Sequence, residues 1–253
     1  MLLTSVTLLG VLPLPAYGAV PLHALGDGQV RALADGPLPP GVLGRTYTTE
    51  VTVHLPKTLT YGQSFQITGQ VVATNTEDSG DRGALQDAEV TLERAWKGQD
   101  EWTTLATTTT SDTNTPVYEF DQAARRNATY RVVYAGETYT EGLETVTYQP
   151  DTTSKVLRTR RELHARQAEP RPGYYVIKGN VDPGWGRKPV RLERKTCSGC
   201  AWRTYDELQT SSTGAYLFPV DFPRRGTWFY RVKVKATTEF VVSYSAQFRA
   251  VTY

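Results

Sequence analysis

Sulfur is nearly absent from this chain. Among 253 residues there are two cysteines, Cys197 and Cys200, and one methionine, at position 1. Histidine is almost as scarce: His23, His54 and His164 are the full set, and they lie far apart. A shared metal or a Ser-His-Asp set would need these residues to meet across the chain. No Gly-x-Ser-x-Gly elbow, phosphate-binding glycine loop or His-Glu-x-x-His pair is present. The residues therefore point away from an enzyme, with no catalytic set, no cofactor and no metal expected. Long runs of Leu, Ala, Glu and Lys at helical spacing are missing as well, so helices should be rare.

What the chain does contain is a repeated segment. Val90-Thr-Leu-Glu-Arg94 is followed by Trp102, and Val190-Arg-Leu-Glu-Arg194 by Trp202, an offset of 100 positions that holds again at Tyr130-Arg-Val132 and Tyr230-Arg-Val232. A whole folding unit has been copied. Both copies are crowded with Thr, Val and Tyr, a composition that favours half-buried strands. Val90 and Leu92 alternate with Thr91 and Glu93, and the copy does the same, which puts one face of each strand in a core.

Seven strand candidates fall in the first copy, over 50–55, 64–73, 88–95, 102–109, 117–121, 129–135 and 144–148, separated by turn signals. The second copy repeats the plan, with a long first strand within 155–166, then 174–181, 189–195, 201–208, 215–220, 228–235 and 240–251. Ile67-Thr-Gly-Gln-Val71 matches Ile177-Lys-Gly-Asn-Val181 at an offset of 110, so ten extra residues belong to the loop 73–87 of the first copy. Seven short strands at this spacing predict a sandwich.

The order Tyr-Gly-Gln-Ser, Ile-Thr-Gly, Val-x-Leu-Glu-Arg, Trp, Thr-rich turn and Tyr-Arg-Val resembles the bacterial immunoglobulin-like and prealbumin-like sandwich repeats of secreted actinobacterial proteins. The resemblance covers about 46–253. It implies an all-β fold of two tandem immunoglobulin-like β-sandwiches, and a role in adhesion, spacing or ligand binding. Tyr130 and Tyr230 stand where such folds place a tyrosine corner, whereas Val132 and Val232 occupy the place of the second inter-sheet cysteine of antibody domains.

The expected organisation is an export signal over 1–18, a flexible Gly/Pro/Ala-rich spacer over 19–45, a first sandwich over 46–150 and a second over 151–253. The apolar run Leu2–Leu14 and the small residues Ala16 and Gly18 fit an export signal cleaved after Gly18. A spanning anchor is disfavoured because Pro13, Pro15 and Pro21 leave a stretch shorter than the roughly 20 residues a membrane helix needs. The protein is thus expected to be secreted or attached to a cell surface, with no transmembrane segment after cleavage. In such a compartment Cys197 and Cys200 are expected to form a local disulfide.

Aromatic residues and charge supply the binding candidates. Trp102 and Trp202 hold equivalent positions and are expected to pack, whereas Trp185, between two glycines in Pro183-Gly-Trp-Gly-Arg187, is expected to be an exposed contact anchor with Arg187 and Lys188 beside it. Residues 151–253 carry 19 Lys/Arg against 9 Asp/Glu, net +10, and residues 1–150 carry 9 against 17, net −8. Arg158, Arg160, Arg161, His164 and Arg166 crowd one expected strand. Such a surface attracts polyanions in a salt-dependent way. For an exported protein these are a cell-wall polymer, an acidic glycan, lipid headgroups or an acidic protein partner; nucleic acid is not expected. Two other readings stay open: the basic copy pairs with the acidic copy, within a chain or between chains as self-association, or the aromatics serve carbohydrate binding.

Overall fold

The computed structural model describes residues 43–171, 173–221 and 226–252. The expected export signal and residues 19–42 of the spacer lie outside the described residues. Among the described residues there is no helix, and therefore none long and apolar enough to cross a membrane.

Among the described residues, twenty strands follow one another. The first five are β1 (Leu43–Val51), β2 (Thr58–Thr60), β3 (Ser64–Gly69), β4 (Val71–Asn75) and β5 (Arg82–Ala84). Next come β6 (Glu89–Trp96), β7 (Thr103–Thr109), β8 (Tyr118–Ala123), β9 (Ala128–Tyr134), β10 (Glu137–Glu141) and β11 (Glu144–Tyr148). They are followed by β12 (Asp151–Arg160), β13 (Glu162–Arg171), β14 (Tyr174–Asp182) and β15 (Pro189–Lys195). The last are β16 (Arg203–Gln209), β17 (Ala215–Val220), β18 (Gly226–Val234), β19 (Ser243–Tyr244) and β20 (Phe248–Thr252).

Five sheets result, in the orders β10-β11-β1-β4-β5, β2-β12-β9-β6-β7, β3-β8, β13-β14-β17 and β16-β15-β18-β19, with β20 also on β18. Two separate apolar cores lie between them. The first gathers Val51, Phe65, Ile67, Val71, Val90, Leu92, Tyr118, Tyr130, Val132 and Leu157. The second gathers Ile177, Val181, Trp185, Val190, Leu192, Phe218, Tyr230 and Val232. Strand alternation produces this directly. In β9 every second residue from Ala128 is buried, and in β17 Tyr216, Phe218 and Val220 point inward while Ala215, Leu217 and Pro219 point out. The chain is all-β among the described residues, with two sheet-enclosed cores in tandem.

The duplication extends to irregularities. Pairing slips by one residue between Leu92 and Glu93 in the β6–β7 ladder, and between Leu192 and Glu193 in the β15–β16 ladder. The glycine of each Ile-x-Gly is also explained. A Cβ on Gly69 would fall 1.9 Å from the Thr52 carbonyl oxygen and 2.4 Å from the Tyr118 hydroxyl, and one on Gly179 would fall 1.8 Å from that of His164 and 2.7 Å from the Tyr216 hydroxyl. Only glycine lets the strand pass that close to its neighbours.

Several expectations need correction. The chain is already in strand β1 at Leu43, inside the expected spacer. The segment 64–73 is two strands in different sheets, β3 on β8 and β4 on β1, and 240–251 divides into β19 and β20, both on β18. Strands β2, β5 and β10 are additional; each is short or turn-flanked and carries too little apolar alternation to be seen. The extra residues of loop 73–87 include β5, which extends the sheet edge beside β4. The largest correction concerns the basic segment 155–166, which is not the first strand of the second copy. Strand β12 pairs with β9 along seven residues and with β2, and it buries Leu157 in the first core. By pairing and packing, residues 151–160 go with the first core, and β13 opens the second.

Candidate polyanion-binding face

The end of β12 is the seam between the two cores. Thr159 offers its carbonyl to Val241 N at 2.9 Å and its N–H to Asn127 Oδ1 at 2.8 Å. Arg160 bridges Val241, and its carbonyl accepts from Tyr61 N at 2.8 Å. The Arg161 N–H donates to Ser243 Oγ at 2.8 Å. Asn127, Thr159, Arg161 and Ser243 are all buried, so the backbone N–H groups of Thr159 and Arg161 depend on the side-chain acceptors they have. The sequon-like Asn127-Ala-Thr129 is thus a structural element: its carboxamide also donates to the Thr238 carbonyl at 3.0 Å.

This seam removes two of the expected binding residues from the surface. Trp185 is only 4% exposed and belongs to the second core, its indole N–H donating to the Pro189 carbonyl at 3.0 Å. Gly186 lets the loop run against the Ser212 carbonyl, which a Cβ there would meet at 2.2 Å, and the ring turns inward. Arg161 is also 4% exposed, its guanidinium 4.0 Å from the Phe240 ring centroid and 4.7 Å from that of Trp185, donating to the Pro183 carbonyl. Burial draws the Arg161 guanidinium below its ordinary value, and the Glu239 carboxylate partly offsets this.

Trp102 and Trp202 pack as expected, each beneath an arginine. The Arg131 guanidinium is 4.0 Å from the Trp102 ring centroid, and Arg231 is 4.3 Å from that of Trp202. The same arginines pair with Glu93 and Glu193, the latter also bound by Lys233 Nζ at 2.9 Å. Both indoles are half-buried with a guanidinium over the ring. The hydroxyls of Tyr130 and Tyr230 lie beside Arg94 and Arg194, a different use from the backbone contact of a tyrosine corner. Cys197 and Cys200 form a disulfide in the β15–β16 connection, with Cα atoms 5.1 Å apart.

Seven cations have carboxylate partners among the described residues: Arg45, Arg82, Arg126, Arg131, Arg191, Arg231 and Lys233. The remaining expected binding residues differ. Arg158, Arg160, Arg166, Arg187 and Lys188 are exposed, and among the described residues none has an ion-pair partner. Arg158 and Arg160 share the outward parity of β12, while Leu157 and Thr159 point inward. His164 and Arg166 continue the outward parity along β13. From Arg158 to Arg166 the chain contour is about 26 Å at strand rise. Glu162 interrupts the row, and with Asp182 it stands 3.5 Å from His164 Nε2.

Sequence reasoning missed Lys178. It lies directly opposite Arg166 in the β13–β14 ladder, so both side chains project from one face. No local pattern marks it, because only the pairing of β13 brings it there. The face is an open groove of about 870 Å³ over β13, β14 and β17, reached also by Leu208 and Gln209 of β16. Among the described residues no group of three or more His, Cys, Asp or Glu is arranged to hold a metal.

Among the described residues one ion pair crosses the seam. It joins Arg126 of the first copy to Glu239 of the second at 3.0 Å, the reverse of the expected polarity.

No protein-family model matches the chain, and no curated protein matches it. Solved structures similar to it include a marsupial T cell receptor, at 9% identity and TM-score 0.30, over 81% of this chain and 73% of that one. A Salmonella alpha-2-macroglobulin variant matches at 11% identity and TM-score 0.30, over 87% of this chain. The chain spans 16% of that second protein's length. Neither likeness bears on family or role.

Proposed function

We propose that this is an exported, non-catalytic binding protein that holds an acidic polymer at the cell envelope along the outward face of β12 and β13. The observation that carries the reading is that Arg158, Arg160, Arg166 and Lys178 follow one another on the outward positions of β12, β13 and β14 and have no ion-pair partner among the described residues. Unpaired, solvated cations keep their field for a ligand, and placing several on one extended run suits a polymer better than a small ion. Arg187 and Lys188 extend the basic surface from the neighbouring loop, with Lys188 Nζ 5.0 Å from the buried Trp185 ring. Export is supported by the apolar N-terminal run and by the disulfide.

Retention on immobilised polyphosphate, poly-L-glutamate and polygalacturonate, eluted with a salt gradient, tests the proposal. Binding to at least one polymer is expected, with elution moving to markedly lower salt when Arg158, Arg160 and Arg166 are replaced by Ala. Unchanged elution of that triple variant would sink the idea. So would salt-sensitive self-association in sedimentation without any polymer, since the face would then be occupied by a second copy.

A further inference from the structure

Resting on that reading, we infer that the groove over β13, β14 and β17 is built for an acidic glycan, with Arg166 and Lys178 taking a uronate carboxylate and Leu217 carrying the apolar face of the sugar ring. Two rows cross the sheet in register. Arg166, Lys178 and Leu217 stand side by side in one row, and His164, Asn180 and Ala215 in the next. Facing residues on adjacent strands lie about 4.8 Å apart and alternate residues along a strand about 6.7 Å apart, so these six side chains tile one sugar-sized area.

The chemistry of the tiles selects among polyanions. A uronate residue offers a carboxylate, hydroxyls and an apolar C–H face. The groove meets these with Arg166 and Lys178, which have no ion-pair partner among the described residues, with the Gln209 amide, and with Leu217, which is 46% exposed next to Ala215; the Asn180 amide and the His164 imidazole complete the lining while facing Asp182, at 3.0 and 3.5 Å. Polyphosphate has no apolar face, and an exposed leucine in the same row as the cations does nothing for it. A fatty chain would leave the amides unused.

The first copy supplies an internal control. Gly69 faces Tyr118 as Gly179 faces Tyr216, so Thr68 corresponds to Lys178 and Glu119 to Leu217. There the same outer face carries Glu119 and Asp121, both bound by the Gln66 amide. The fold accepts either set of residues, and only the second copy carries the cationic and apolar one.

The test compares polygalacturonate oligomers with polyphosphate and poly-L-glutamate of matched charge, by titration calorimetry, on the full chain. Variants Leu217→Gln and the pair Lys178→Thr with Leu217→Glu, which carries the first copy's residues, keep side chains suited to exposed strand positions. Polygalacturonate is expected to bind at least tenfold more tightly than the other two. Leu217→Gln should weaken it several-fold and leave polyphosphate unchanged, and the double variant should abolish the preference. Equal affinity for all three polymers, with Leu217→Gln silent, would overturn the glycan assignment and leave the polyanion reading standing. Tighter binding of poly-L-glutamate would assign the groove to an acidic peptide instead. Absence of binding to any of the three would remove both.

Discussion

Asn127 Oδ1 accepts the backbone N–H of Thr159 at 2.8 Å, and both residues are buried where the two cores meet. One side chain thereby ties the β9 approach to the end of β12. Through its Nδ2 bond to the Thr238 carbonyl it ties both to the loop of the second sandwich. Replacing Asn127 by Ala leaves the Thr159 N–H without a partner, at a cost of about 1–3 kcal/mol. Urea unfolding followed by tryptophan fluorescence should give one transition for the natural chain and an earlier, broader or split one for Asn127→Ala. An unchanged midpoint would show that the seam is held by other contacts.

Trp185 and Arg161 act on stability and not on ligand capture. Trp185→Ala removes a core ring and should cost about 3–5 kcal/mol. Arg161→Ala opens the stack with Phe240 and frees the Pro183 carbonyl, a loss of about 2 kcal/mol. Both should lower the thermal midpoint while the folded fraction still elutes from an acidic polymer at the salt concentration of the natural protein. Earlier elution with an unchanged midpoint would return these residues to the binding face.

Glu193 links stability to acid pH. Burial acts to raise its carboxyl, but hydrogen bonds from Lys233 and Arg231 outweigh this and hold it below the usual carboxylate range. A depressed folded value means that the native state favours the charged form. Its contribution is present above the unfolded value, near 4.3 for glutamate, and is lost as pH falls through the folded one. Glu193→Gln should therefore destabilise by about 2–3 kcal/mol at pH 7, and the gap to the natural protein should close as pH drops below about 4. A gap independent of pH between 3 and 7 would contradict the ion-pair account.

The Cys197–Cys200 disulfide should matter little to folding. The first copy makes the corresponding connection with Lys97-Gly-Gln-Asp100, where Gln99 N bonds the Trp96 carbonyl at 2.9 Å. A ring this short contributes at most about 2 kcal/mol by loop entropy. The double Cys→Ser variant is expected to fold, with its thermal midpoint lowered by a few degrees and polymer elution unchanged. Failure to fold would make the bond a requirement of the second core.

Legibility followed the range of the interactions. The alternation in Val90-Thr-Leu-Glu-Arg and its copy, the strand at β17 and the disulfide were readable because each depends on neighbours in sequence. The strands β2, β5 and β10 were not, being short pieces stabilised by the sheet edges they join. The basic run 155–166 was read as one strand because its composition is continuous. The break at Arg161 has no local signal, since it arises where the chain leaves one sheet and enters another. Trp185 between glycines looked exposed for the same reason: only the packing of its loop over the second core buries the ring.

The sequence by itself determined that a β-rich unit occurs twice, which face of each strand is apolar, and that the second copy carries the positive charge. Those properties reside in residue types and their period. Tertiary structure alone decided which cations are free, because pairing depends on what lies across the ladder: Arg231 meets Glu193, whereas Arg166 meets Lys178. It also decided that β12 belongs to the first core, that Arg161 and Trp185 seal a seam, and that Leu217 shares a row with Lys178 and Arg166. Each is a contact between residues distant in the chain, set by strand register and sheet order, and so invisible to composition and spacing.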